Sequence, residues 1–211
     1  MKIKKIAILV MCAALLVAGS ALATFAFLSD EEGVVNTFTV GKVYVDLDEA
    51  AVDEYGVPIE GADRVYENDY KLIPGWSYTK DPTMTILEDS ESAYVRMMVT
   101  LTGYSQLEAA FGDGFSVEDI VNIGDQWTCV NETENTLDDT LVCEFRYASV
   151  VDGLNGALTL QPLFTTLTMP EEISSEDLAN IAGSFDMQIV GHAMQAKGFA
   201  DADAAWEAFE K

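Results

Sequence analysis

Histidine and positive charge are what this 211-residue chain has least of: one His and eleven Lys plus Arg stand against 36 Asp plus Glu, a formal charge of −25. A catalytic zinc needs three protein ligands and an open position for water. With His192 alone, and no H-E-x-x-H pair, the sequence gives a zinc peptidase no support. Serine chemistry lacks a base for the same reason, and neither a G-x-S-x-G elbow nor a G-x-x-x-x-G-K-[ST] phosphate loop occurs. So acidic a surface repels phosphate backbones and anionic headgroups alike, which excludes nucleic acid as a partner.

Carboxylates are so numerous that pairs of them, such as Asp113 with Glu118 or Asp119, carry no information without distances. Turn chemistry accounts for Gly112-Asp113-Gly114. No cofactor is implied, and Ca2+ is the one ion the acidic surface brings into question. Asp46-Leu47-Asp48-Glu49 and Asp201-Ala202-Asp203 come nearest to a calcium loop, yet neither completes the EF-hand pattern. Asp201 reads as a helix cap.

Cysteine is scarce too. Cys12 lies in an apolar leader, so Cys129 and Cys143 are the two that remain beyond it. They flank the polar run Asn131–Asp139, read as a turn between strands, and are either a disulfide across a hairpin or two small buried thiols.

What is present begins with that leader. Lys2, Lys4 and Lys5 precede an uncharged apolar run from Ile6 to Leu28, which stops at Ser29-Asp30-Glu31-Glu32. A basic start, an apolar middle and a small-residue stretch form the layout of a secretory signal peptide, here residues 1–27. A membrane anchor is the competing reading, since the run is long enough to cross a hydrocarbon core of roughly 30 Å. Its small-residue stretch, Ala18-Gly19-Ser20-Ala21-Leu22-Ala23, suits a peptidase cleft better than lipid. Removing residues 1–27 takes away three Lys and no acid, leaving a formal charge of −28. The remaining 28–211 segment has the length of a single domain with a substantial core.

Strand patterns dominate that domain. They run over Thr37–Leu47, Ser77–Ile86, Ala93–Leu101, Gln126–Val130, Leu141–Val150, Ala157–Thr168 and Phe185–Gln195. Short helices are expected at Ser105–Phe111 and Asp201–Phe209, and Ser116 with Asp119 and Ser174 with Asp177 have N-cap spacing. His192 falls in the last strand. Glu49–Asn68, polar and punctuated by Gly and Pro, is a mobile excursion or holds a short hairpin. Seven or more strands in one domain predict a mainly β sandwich with short peripheral helices.

Thr24-Phe25-Ala26-Phe27-Leu28-Ser29-Asp30, followed by Asn36-Thr37-Phe38-Thr39-Val40-Gly41-Lys42-Val43, resembles the start of the TasA and camelysin family of secreted Gram-positive proteins. Ile73-Pro74-Gly75-Trp76-Ser77-Tyr78-Thr79-Lys80, Ala93-Tyr94-Val95-Arg96 and Ala193-Met194-Gln195-Ala196-Lys197-Gly198-Phe199 resemble later family segments in the same order. The resemblance implies a jelly-roll sandwich and processing within Ala23, Thr24, Phe25, Ala26, Phe27 and Leu28 by a signal peptidase of the SipW type. It further implies a secreted subunit, in the extracellular matrix or on the cell wall, that self-associates into biofilm-matrix fibres and meets other matrix proteins. In such fibres an N-terminal strand of one subunit completes a sheet of the next. The corresponding donor segment here is Leu28–Asn36, with Leu28, Ser29, Asp30, Val34, Val35 and Asn36 as its contact residues. The rival readings are a monomeric surface adhesin and a camelysin-type metallopeptidase, the latter disfavoured by the single histidine.

Overall fold

The computed structural model describes residues 43–211; the leader, the processing residues Ala23–Leu28 and the donor segment Leu28–Asn36 lie outside them. Among the described residues ten strands form three antiparallel sheets, with a few short helices at their margins. The body is a mainly β sandwich.

At its centre is β4 (Ala93–Thr102). Alternation sends Ala93, Val95, Met97, Val99 and Leu101 to one face, where all five are buried. The partners of β4 are β7 (Thr140–Tyr147) and β10 (Met187–Gln195), and β6 (Trp127–Asn135) completes a four-stranded sheet in the order β10-β4-β7-β6. A second sheet runs β1-β3-β8 (Val45–Asp48, Thr83–Ile86, Leu158–Thr159), and a third runs β2-β9-β5 (Ser77–Thr79, Phe164–Thr168, Val121–Ile123). Their inner faces share one core, in which Met84, Ile86, Met97, Leu101, Phe145 and Phe164 are all sealed from solvent.

Two runs that read as continuous strands are each divided. Ser77–Ile86 leaves the third sheet as β2 and enters the second as β3, while Ala157–Thr168 passes from β8 to β9 in the opposite sense. Pro82 and Pro162 mark the breaks, because a proline has no N–H to give a ladder. The two crossings sit side by side, with Leu163 N–H donating to the Pro82 carbonyl at 3.0 Å. Strand β6 reaches Asn135, well into the run that reads as a turn. As an edge strand exposed on most of its length it is polar like a loop, and pairing with β7 holds it extended. The turn shrinks to Thr136–Asp139, with Asp139 in the left-handed region at φ 53.

Helix α1 (Tyr104–Phe111) starts from Gly103 without a side-chain cap. The predicted caps are present elsewhere. Ser116 and Asp119 close a capping box on a short 3-10 turn, Ser174 accepts from Asp177 N–H ahead of α2 (Ser175–Ala182), and Asp201 accepts from Ala204 N–H ahead of α3 (Ala202–Phe209). Between β1 and β2 the chain makes antiparallel bridges at Glu49–Val65 and Val52–Pro58, the short hairpin of the two readings of this stretch. Among the described residues no helix is long and apolar enough to cross a membrane.

Candidate functional site

Strand β10 has a neighbour on one side only. Among the described residues it pairs with β4 over its whole length and with no other strand, so its outer N–H and C=O groups form a sheet edge. Met187, Ile189 and Val190 on that edge are apolar and only half-buried. The sheet containing β1 comes close at Gly191, where a Cβ would lie 2.2 Å from Met84 Cε and 3.5 Å from Leu47 Cδ2. Glycine is what permits that approach. Toward Met187 a cleft of about 340 Å³ opens between Leu47–Glu49 and Met187–Ile189, with Tyr66 and Glu67 at its side. It adjoins a second of about 200 Å³ beside Tyr78, Leu167 and Phe185, and Asn68, Lys80, Asp186 and Met187 line both.

The cleft is charged at its base, and its strand wall is mixed, with Met187 and Ile189 apolar and Asp186 and Gln188 polar. Lys80 Nζ lies 2.7 Å from Glu49 Oε2, with only 10% and 7% of the two side chains exposed. Asn68 Nδ2 donates to Glu49 Oε1 at 2.9 Å and to the Ala50 carbonyl, and the Lys80 ammonium stands 5.5 Å from the centre of the Tyr70 ring. Burial, reinforced by the charge of Glu49, pushes the Tyr70 phenol well above its ordinary range. Outside this pair, Arg64 grips Asp48 at 2.6 Å and Asp81 at 2.9 Å, and Asp81 Oδ1 accepts from Ala50 N–H. These bonds hold the Glu49–Asn68 stretch in place as one wall of the cleft. Nothing in local sequence marks Lys80, Asn68 or Arg64, since their partners lie 16 to 31 residues away.

On the opposite face of the same sheet, α3 packs over Arg96. This guanidinium is 4.5 Å from the Trp206 ring and 5.0 Å from that of Phe209, and it pairs with Glu210 at 3.0 Å and Glu144 at 3.5 Å. Arg96 Nε donates to His192 Nδ1 at 3.3 Å, and His192 stacks against Phe209. Burial, then the positive charge of Arg96, lowers the His192 pKa, with Glu144 opposing. The chain's one histidine thus helps to seat its C-terminal helix.

Cys129 and Cys143 are free thiols on the β6–β7 hairpin. They do not face one another directly: Cys129 stands opposite Phe145 and Cys143 opposite Glu132, with an irregularity between Cys129 and Asn131. Cys143 is buried and donates to Glu132 Oε1 at 3.3 Å; burial, then Glu132, raises its pKa far above the ordinary thiol value. Of the acidic runs considered for calcium, Asp48 and Glu49 are taken up by Arg64 and Lys80, and Asp201 caps α3. Among the described residues no group of three or more His, Cys, Asp or Glu converges as a metal site. Comparison with family models, curated proteins and solved structures finds no match to this chain.

Proposed function

We propose that this protein is an exported structural subunit that assembles into extracellular fibres by donor-strand exchange, residues Leu28–Asn36 of one copy lying along β10 of the next. The observation that carries this reading is the edge of β10 along which no described strand lies, with half-buried Met187 and Ile189 beside a cleft. An added strand would pair the outer N–H and C=O groups of β10 and cover its apolar side chains. Val34 and Val35 would each contribute roughly 1.5 to 3 kcal/mol if fully buried. A head-to-tail contact of this kind does not close on itself and so propagates as a filament.

The resemblance to TasA-like proteins supports the same reading, with residues 28–211 as the mature unit after cleavage by a SipW-type peptidase. The product is placed in the matrix or on the wall, beside other matrix proteins, and is given no catalytic role. Secreted material should begin between Thr24 and Leu28, at Phe27 or Leu28, when sequenced from its N-terminus. Deleting Leu28–Asn36 should leave a folded monomer that does not elongate, and the segment as a free peptide should bind and cap growing ends. Filaments of unchanged morphology from the deletion variant would overturn the proposal, and a concentration-independent monomer from the intact mature chain would favour a surface adhesin.

A further inference from the structure

Three side chains at the base of the cleft meet in an arrangement that a buried ion pair does not require. Lys80 Nζ lies 2.7 Å from one oxygen of the Glu49 carboxylate, and Asn68 Nδ2 lies 2.9 Å from the other. A single acid thus holds an amine and a carboxamide side by side. The carboxamide is oriented as well. Its Oδ1 accepts from Val52 N–H at 3.0 Å, while Nδ2 also donates to the Ala50 carbonyl at 2.9 Å, so its partners distinguish oxygen from nitrogen. Backbone bonds fix the residues that meet here. Glu49 and Val65 exchange N–H and C=O bonds, Val52 bridges Pro58, and Lys80 N–H donates to the Thr165 carbonyl. Arg64 takes up the neighbouring carboxylates of Asp48 and Asp81, and Glu49 is the acid that pairs with Lys80.

We propose that Lys80 and Asn68 join through an intramolecular amide bond, with Glu49 carrying the protons. This goes beyond the fibre reading and does not rest on it. The Lys80 and Glu49 side chains are both nearly sealed from water, so passing one proton from ammonium to carboxylate removes two buried charges and leaves a free amine beside a neutral acid. A desolvated amine is a nucleophile. Its Nζ lone pair attacks Asn68 Cγ, and the carbonyl electrons move onto Oδ1, where Val52 N–H already donates. Glu49 gives its proton to Nδ2 and takes the one that Nζ must shed. The Cγ–Nδ2 bond then breaks, and ammonia leaves through the cleft that Lys80 and Asn68 line, taking the remaining proton as ammonium. No electrons are gained or lost and no co-reactant is consumed. The new bond closes Asp69–Thr79 into a ring and fastens the Glu49–Asn68 stretch to the end of β2, so that one wall of the cleft is held covalently.

Peptide mapping of the purified, folded chain tests this wherever the mature chain begins. Trypsin should release Val65–Lys71 joined to Leu72–Arg96, lighter than the two together by one ammonia, because an acylated Lys80 is no longer a cleavage site. Fragmentation of that product should place the link between Asn68 and Lys80. Lys80→Arg, which keeps a cation for Glu49 but has no amine, should give no linked peptide. Glu49→Gln should slow linkage by at least about a hundredfold. Circular dichroism verifies the fold of both variants. Separate Val65–Lys71 and Leu72–Lys80 from the folded parent chain overturn the proposal. Loss of ammonia from Val65–Lys71 alone, which is cyclisation of Asn68 onto its own backbone, overturns it as well. Linkage in Glu49→Gln at the parent's rate overturns the role given to Glu49. Because the parent chain alone decides whether the bond forms, a variant that fails to fold leaves the test intact.

Discussion

Replacing Lys80 by Met removes the cation from the base of the cleft while keeping most of its volume. At 2.7 Å and an effective dielectric constant of about 20, the gross attraction between Lys80 and Glu49 is about 6 kcal/mol, much of it offset by the cost of taking both charges out of water. Removing one partner is a different matter from removing both. The Glu49 carboxylate stays 6% exposed as a residue and keeps a single side-chain donor in Asn68. Stranding a buried charge typically costs about 3 to 5 kcal/mol, a large part of a domain stability of about 5 to 15 kcal/mol. Adding Glu49→Gln removes the stranded charge and leaves an amide that still accepts from Asn68, so the double variant should regain at least about 2 kcal/mol of the loss. The control is Lys211→Met, whose ion pair with Glu207 has 71% and 73% of its side chains exposed and should shift stability by less than about 0.5 kcal/mol. Urea unfolding at neutral pH, followed by circular dichroism and extrapolated linearly, measures all four chains. A loss below about 1 kcal/mol for Lys80→Met, or a double variant no more stable than the single, refutes the reasoning, because buried unpaired charge would then not govern the site.

His192 makes the seating of α3 sensitive to acid. Its depressed pKa means that the fold prefers the neutral ring, so this contribution is fully present above the unfolded value of about 6.5 and is lost as pH falls through the lower folded value. The urea midpoint of the parent should fall between pH 7.5 and 5.5 by more than that of His192→Asn, which keeps an acceptor for Arg96 without titrating; equal falls in both would sink the idea. On the β6–β7 hairpin, the observed register predicts two free thiols, with half-exposed Cys129 labelling faster than buried Cys143. A loss of two hydrogens in non-reducing mass spectra would instead mean that the irregularity at Cys129–Asn131 rearranges to let the pair bridge, which the chain-entropy model values at about 3 kcal/mol.

Much of the fold is legible because its signals are local. The sequence pattern marks Ala93–Leu101 as a strand, and its alternation puts one face in the core, while Ser116, Ser174 and Asp201 announce helical turns by cap chemistry that spans three residues. The poverty in histidine and in positive charge likewise belongs to composition, and arguments from it need no coordinates. The divided strands are half legible: Pro82 and Pro162 are visible breaks, but that both runs change sheets at one place depends on contacts about eighty residues apart. The candidate site is hardly legible at all. Lys80 meets Glu49 across 31 residues, and Arg96 meets Glu210 across 114. Nor does the run Met187–Gln195 carry any mark that, among the described residues, one of its sides lacks a strand. A strand's pattern reports which faces are covered, through the side chains that alternate between them. Its two edges carry only backbone N–H and C=O groups, identical for nearly every residue, so whether an edge is paired or open is decided by where the rest of the chain goes.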